Sequence, residues 1–465
     1  MRVKQIIALI LLFISADLYS LDLNYSISEI KVRGNKTTRE SIIIRELLFK
    51  TGDSIRLSEI GEEVRMSREN LLNTSLFNYV TITYSLTSSQ DIAFEIAVEE
   101  RWYTWPAVML KYDDRNFSAW LKAGDLSKSK YGVSLQKFNC FGRRETLILI
   151  LLFGYENQFL LSYKNIALDK SKKNMIGFEY EVSKQDEVIF ATQHNEPVTF
   201  RYHYRQVFQK MRYQLNYQYR PRIHGTHNFY ITYYDYSAAD TIVRLNPDFL
   251  TRNRTHLECY TLDYIYTLDN RDSKAYPVKG SFYELIADQT LSSPLSKSSF
   301  SSSSVVQSYY EYLPLSNRFY YAFGVNLKLS FNSSHSFLYS RSLGYLYDLH
   351  GFEYNTIEGE HFVVLKNLIK YNIIKPSIKK INFIPFEKFN KVHYALYFNL
   401  FNDLGYVSDR YRTPDNNYVN KLLVSAGAGL DFVTYYDRTL RVEYSINGFG
   451  KSGIYLHLTA PLNKE

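Results

Sequence analysis

Two short segments about fifty residues apart carry the side chains best placed for a specific long-range interaction. One is Leu349-His350-Gly351-Phe352, after a run of alternating strand-like residues; the other is Phe401-Asn402-Asp403-Leu404-Gly405, at the end of another such run. An imidazole and a carboxylate can share a charge-assisted hydrogen bond. Glycines at 351 and 405 let two backbones approach closely. Alternation through Val392, Tyr394, Leu396, Phe398 and Leu400 sets an apolar face, so His393, Ala395, Tyr397, Asn399, Phe401 and Asp403 take the other one. A carboxylate on a wet face is ordinary by itself. It becomes informative when a basic loop residue comes in to meet it.

A second constellation is Leu268-Asp269-Asn270-Arg271-Asp272, followed by Tyr276-Pro277-Val278-Lys279-Gly280. Read as strand, it puts Asp269 and Arg271 on one face, where the pair can bridge interior residues, while Pro277 and Gly280 mark a turn. Covalent and hydrolytic chemistry has no comparable signature. The chain lacks a Gly-x-Ser-x-Gly elbow, a His-Glu-x-x-His pair, a phosphate-binding glycine loop and a cysteine cluster. Its ten His residues are scattered, and His194 and His224 read as loop positions. A hydrolase would need a Ser and a His on one exposed strand face, and no spacing singles such a pair out. The expectation is a protein that is not an enzyme and uses no cofactor or metal.

The elements that must position these residues are β-strands. Tyr numbers 43 and Phe 30 against 3 Trp and 2 Cys, an excess that suits strands and the aromatic girdles of a membrane barrel. Mean hydropathy is −0.28, too polar for a bundle of membrane helices. Beyond the first twenty residues no apolar run is long enough to span as a helix. A transmembrane barrel reconciles both, because half of every strand faces a wet lumen. Tyr321, Phe323, Val325, Leu327, Leu329 and Phe331 alternate with Ala322, Gly324, Asn326, Lys328, Ser330 and Asn332. Tyr213–Arg220 and Ile176–Val182 repeat the pattern. A soluble β-sandwich also alternates, but in shorter domains. The stretch from residue 101 to 465 accommodates about sixteen strands, and lipid requires the sheet to close. Ser292–Ser304 reads as a surface loop.

The formal charge of +8 is spread out and comes with no nucleic-acid motif; basic loops facing anionic lipid or client chains explain it more simply. Residues 1–20 read as a secretory signal: Arg2 and Lys4, then apolar Ile6–Ile14, then small Ser15, Ala16 and Ser20. Cys140 and Cys259 could pair in an oxidising compartment, although nothing in the sequence brings them together. Residues 21–100 differ from the rest. A strand at Ser26–Val32 precedes the turn Arg33-Gly34-Asn35-Lys36. A helix from Thr38 follows, with Ile42, Ile43, Leu47 and Leu48 on one face, ended by Gly52-Asp53. A second helix runs from Leu57 to Asn73, and two strands, Tyr79–Leu86 and Ile92–Glu99, complete a β-α-α-β-β order.

That order, with Val32-x-Gly34-Asn35 and Leu76-Phe77-x-x-Val80, resembles a single POTRA domain. The segment around His350 and Asp403 resembles the latch inside barrels of the BamA/TamA family, where an Arg-Gly-Phe/Tyr loop tip meets the aspartate of a Phe-x-Asp-x-Gly strand. Here His350 stands where that family has arginine, so a permanent two-pronged charge is replaced by a group charged only when protonated. The segments Asp269–Gly280 and Asp113-Asp114-Arg115-Asn116-Phe117-Ser118-Ala119-Trp120 are also family-like. The resemblance implies a mainly β protein: a transmembrane antiparallel barrel of about sixteen strands (101–465), preceded by a small α+β POTRA domain (21–100). It implies His350, Gly351 and Phe352 as loop latch, Phe401, Asp403 and Gly405 as partner strand, and Asp269 and Arg271 as lumen scaffold.

The resemblance further implies a place in a Gram-negative outer membrane, with the POTRA domain in the periplasm. The role would be insertion of outer-membrane proteins or translocation of a polypeptide. Extended client chains would add to a POTRA sheet edge and be templated at the seam between first and last barrel strands. The implied partners are unfolded outer-membrane or secreted polypeptides, outer-membrane lipids, and periplasmic chaperones or accessory lipoproteins; nucleic acid is not among them. A dedicated secretion transporter for one passenger, and a plain diffusion porin or receptor barrel, stand as alternatives. The last strand, Gly453–Leu462, alternates, but the chain ends Leu462-Asn463-Lys464-Glu465 without the usual terminal aromatic residue.

Overall fold

The computed structural model describes residues 23–112, 129–202, 206–294, 299–344, 347–382, 390–411, 416–434 and 438–457. The signal-like residues 1–20, the Asp113–Trp120 segment and the chain after His457 lie outside the described residues. Contacts divide the chain into one unit up to Arg101 and a second from Trp102.

In the first unit, β1 (Asn24–Arg33), β2 (Ser54–Arg56), β3 (Phe77–Leu86) and β4 (Asp91–Glu100) form a sheet ordered β2-β1-β4-β3, with β1 and β4 parallel. Helices α1 (Glu40–Ile44) and α2 (Leu57–Asn73) supply buried Ile42, Ile43, Ile60 and Leu71. The first helix is shorter than its pattern predicts, and Leu48 is part-exposed while Leu47 is buried. Side chains of α2 take over the backbone groups that a longer helix would have paired. Ser67 Oγ accepts from the Leu48 N–H at 3.0 Å, and Asn70 Nδ2 donates to the Glu46 carbonyl at 3.2 Å. Strand β3 lies at a sheet edge and leaves Tyr84 and Leu86 exposed.

In the second unit, sixteen strands among the described residues make one antiparallel sheet. They begin with β5 (Thr104–Tyr112), β6 (Ser129–Cys140), β7 (Glu145–Gly154), β8 (Glu156–Ala167) and β9 (Asn174–Gln185). After a hairpin, β10 (Glu187–Gln193) and β11 (Glu196–Arg201), come β12 (Phe208–Tyr219), β13 (Gly225–Ala238), β14 (His256–Asp269), β15 (Gly280–Ser292), β16 (Ser301–Pro314) and β17 (Phe319–Asn332). A second excursion holds β18 (Arg341–Leu343) and β19 (Ile357–Glu358), before β20 (His361–Lys380), β21 (Lys391–Ser408), β22 (Leu422–Thr434), β23 (Arg438–Asn447) and β24 (Ser452–His457). Each strand of the sheet pairs with its neighbour in the chain once the two excursions are set aside, so connections alternate between two ends. One end carries the long loops, including the short helix α3 (Asp240–Leu245).

Two faces with period two drive this sheet. Along β17, Ala322, Gly324, Asn326 and Ser330 are buried while Leu329 and Phe331 are exposed. Val108 on β5 is 88% exposed and Ile454 on β24 is 70% exposed, a display of apolar surface suited to lipid. The inward face is polar and charge-alternating. On adjacent strands, Lys164 lies 2.6 Å from Glu179 and Lys210 lies 2.8 Å from Glu181, while Arg212 pairs with both glutamates. One expectation is corrected. Ser301–Ser304 is strand, because Ser302 and Ser304 face inward and bond Asn332 and Asp288 across the ladder. Cys140 and Cys259 are both free and buried.

Candidate functional site

The proposed latch residues sit within the excursion between β17 and β20 and on β21. Strict alternation on β21 buries Ala395, Tyr397, Asn399, Phe401 and Asp403 and leaves Phe398, Leu400, Leu404 and Tyr406 outward. The tip of the excursion turns at Gly351, whose φ of +80° is a left-handed conformation that side chains resist. A Cβ there would stand 3.3 Å from the Ser425 Cβ and 3.4 Å from the Asn447 Cβ, so the tip lies against β22 and β23.

His350 meets Asp403 twice. Its backbone N–H donates to Oδ2 at 3.2 Å, and its Nδ1 lies 2.6 Å from the same oxygen. Both residues are buried, and the imidazole packs tilted against Phe401 with ring centres 4.2 Å apart. Phe352 does not face the aspartate. It packs into an apolar cluster with Leu343, Leu349, Ile357, Phe362, Val407 and Leu423, and edge-on against Tyr418 at 5.3 Å. Gly405 lets Leu349 close over β21: a Cβ would lie 3.1 Å from Leu349 Cδ2. Asn447 of β23 donates to the Gly351 carbonyl at 2.8 Å. The structure thus brings His350, Gly351, Phe401, Asp403 and Gly405 together, with Phe352 anchoring the neighbouring cluster.

The second constellation lies at the opposite end of the sheet. Strand β14 ends at Asp269, so Arg271 sits beyond it in the turn, where the sequence reading had extended the strand. Arg271 bends back in a two-pronged pair, Nε to Oδ1 at 2.8 Å and Nη2 to Oδ2 at 2.9 Å, and lies over the Phe282 ring. Asp272 accepts from the backbone N–H groups of Ser273, Val278 and Lys279 and so folds the turn. The turn enters the barrel interior: the Tyr276 hydroxyl donates to Asp431 Oδ2 at 2.8 Å, and Lys370 Nζ donates to the Pro277 carbonyl at 3.0 Å. Asp431 also takes Arg441 two-pronged, at 2.5 and 2.7 Å.

Sequence reasoning missed three groups. One is this Tyr276–Asp431–Arg441 network. Another is a set of loop contacts: Thr192 with Thr356, the Asn195 N–H on Asn416 Oδ1, and Asn355 Nδ2 on the Asn195 carbonyl. The third is Glu353, Glu443 and His457, which converge beside the latch. The inward alternation of β23 could have flagged Glu443. The loop partners had no signal, since they pair across 160 residues or more. In the loops, burial, with Asp409 adding to it, pushes the Glu358 carboxyl up to about 7.

Comparison with known proteins agrees with this architecture. Residues 113–435 match the family model described as the Omp85 superfamily domain, and residues 25–101 match the POTRA model described as a surface antigen variable number repeat. Among solved structures, BamA from Haemophilus ducreyi lacking POTRA domains 1-3 is similar at 14% identity and a TM-score of 0.51. The match covers 93% of this chain and 83% of that one. CdiB from Escherichia coli is similar at 12% identity and a TM-score of 0.52, over 93% and 75% of the two chains. No curated protein matches the sequence.

Proposed function

Because this chain belongs to the Omp85 superfamily of outer-membrane insertion and translocation barrels, we propose that it captures extended client polypeptides at its POTRA sheet edge and templates them at the barrel seam. The observation that carries this reading is the seam. The sheet runs from β5 to β24, and among the described residues no ladder joins these two edges. Among the described residues, β24 pairs with β23 over Arg441–Ile446 and forms one edge of the sheet, with β5 at the other. Pro106 within β5 suits an edge strand, since proline cannot donate to a ladder. A client strand would find unpaired backbone there, and the saving of its own polar groups from lipid supplies the driving force. No side chain is asked to do covalent chemistry on the client, so the proposal is for a protein that is not an enzyme.

On the POTRA side, β3 offers an antiparallel edge with Tyr84 and Leu86 exposed beside it. Backbone pairing there gives affinity with little demand on client sequence. In-cell photocrosslinking tests both steps, with probes at Thr83 and Tyr84 on β3 and at Ser452 and Ile454 on β24. Crosslinks to several nascent outer-membrane proteins at both positions are expected. Crosslinks to one exported protein, continuing into the lumen near Asp403, would make the chain a dedicated secretion transporter. No polypeptide at either position, together with a steady open-channel conductance, would overturn the proposal in favour of a porin or receptor barrel.

A further inference from the structure

We propose that Glu353, Glu443 and His457 form a binding site for one divalent first-row transition-metal ion, tying the loop tip to the two strands at the end of the sheet. One ligand atom from each lies within 4.8 Å of the other two. Their origins differ: Glu353 belongs to the loop just after Gly351-Phe352, Glu443 to β23, and His457 to β24. Arg441 and His457 are register partners, so His457 sits diagonally across the ladder from Glu443 on the same inward face.

Glu443 supplies the second, independent indication. Its side chain has no solvent exposure, and neither carboxylate oxygen has a hydrogen-bond partner among the described residues. His457 Nε2 comes within 3.3 Å of Oε1, yet this contact lacks hydrogen-bond geometry and both atoms remain unsatisfied. A fully buried carboxylate in reach of an imidazole and a second carboxylate, with no hydrogen bond of good geometry, is an arrangement that a shared cation resolves. The local charge points the same way. Three buried carboxylates, Asp403, Glu353 and Glu443, surround two imidazoles. Arg441 pairs with Asp431 through Nε and Nη2, and its Nη1 stands 3.6 Å from Glu443 Oε2, so one guanidinium is shared between two buried carboxylates. Burying several carboxylates close together is costly, and a metal ion is one group that offsets the cost.

Two carboxylates and an imidazole suit zinc, manganese or iron(II) better than calcium, which takes oxygen ligands. His350 would support the site from outside it. Its Nδ1 is engaged by Asp403, and its Nε2 lies 3.7 Å from Glu443 Oε2. Such a carboxylate–histidine arrangement next to a ligand tunes metal sites in general. A bound ion would cross-link loop to edge strand at a place already bridged by the Tyr354 and Tyr455 rings, 5.1 Å apart. That consequence, a metal-dependent hold on β24, rests on the seam proposed above. Metal binding itself does not, so the two fail separately.

The test uses untagged full-length protein purified in detergent. It is stripped with chelator, reloaded with zinc chloride, dialysed and analysed for metal and thermal unfolding. About one zinc per chain and a raised Tm are expected for the native protein. Both should be lost in Glu443→Gln and in His457→Ala. Cobalt(II) offers a readout that needs no variant: visible d–d absorption that zinc displaces mole for mole. Zinc retention or a Tm rise surviving in both variants would overturn the proposal. So would a native protein that holds no metal and shows no cobalt bands, which would leave Glu353 and Glu443 sharing a proton instead.

Discussion

Removing the Asp403 side chain isolates what holds the loop tip inside the barrel. Oδ2 accepts from the His350 N–H at 3.2 Å and lies 2.6 Å from His350 Nδ1, with both residues buried. Hydrogen bonds to a charged partner contribute about 1.5–3 kcal/mol each, and breaking a buried pair by deleting one member costs roughly 3–5 kcal/mol. In Asp403→Ala the backbone N–H of His350 loses its acceptor, so the lower half of that range, about 3 kcal/mol, is a conservative expectation. At about 1.4 kcal/mol per decade, loop opening becomes roughly a hundredfold more populated. Hydrogen exchange followed by mass spectrometry reads this directly over residues 349–356. There the Phe352 N–H bonds the Leu349 carbonyl and the Asn355 N–H bonds the Phe352 carbonyl. Exchange should accelerate about a hundredfold in that segment and remain unchanged in the β16–β17 ladder. Asp403→Asn, which keeps the shape and one acceptor, should fall between the two. Unchanged exchange in Asp403→Ala would refute the reasoning. It would mean that Phe352, Asn355 and Asn447 dock the loop without the carboxylate.

Phe352→Ala empties a pocket shared with Leu349, Phe362, Val407, Tyr418 and Leu423. It should cost about 3–5 kcal/mol, read as a lower unfolding temperature together with faster exchange in the loop. Gly351→Ala imposes a left-handed φ on a side chain and presses Cβ toward Ser425 and Asn447. Opening should become easier by about 1–2 kcal/mol, checked by the same exchange measurement. Glu358 has a carboxyl raised from 4.5 to about 7 by burial first, with Asp409 adding to it. The folded state then keeps a proton that the unfolded chain releases. Stability is highest below about 4.5 and falls as pH rises toward about 7, by at most roughly 3 kcal/mol. Thermal unfolding of the native protein should fall more from pH 5 to pH 8 than that of Glu358→Gln; parallel falls would exclude Glu358 as the source.

What the sequence reveals here divides along physical lines. Strand faces were legible, because a period of two is local: the alternation around Asp403 and along Tyr321–Asn332 needs only neighbouring residues. The barrel class followed, since strands apolar on one face and polar on the other, without a spanning helix, fit lipid only when closed. Local reasoning failed where side chains substitute for backbone partners. The first POTRA helix stops at Ile44 because Ser67 and Asn70, on a different helix, satisfy the groups that follow. Arg271 lies beyond its strand and pairs with Asp269 from the turn, a placement that alternation alone does not encode.

The interior contacts were illegible for a further reason. Tyr276 meets Asp431 across 155 residues, and Asn195 meets Asn416 across 221. No periodicity encodes such pairings; only the folded wall brings the loops of its two ends to the same inward face. This bears on how the barrel works. One turn enters from one end to reach Asp431, and one loop enters from the other to reach Asp403, and both rest on β20–β23. Strands β20 and β21 are the longest and most extensively paired of the wall. The loop is docked against this part of the wall through Asp403 and Asn447. The edge strand β24 carries His457 and Tyr455 toward the same loop, so the loop's docking and the sheet's edge meet at one place.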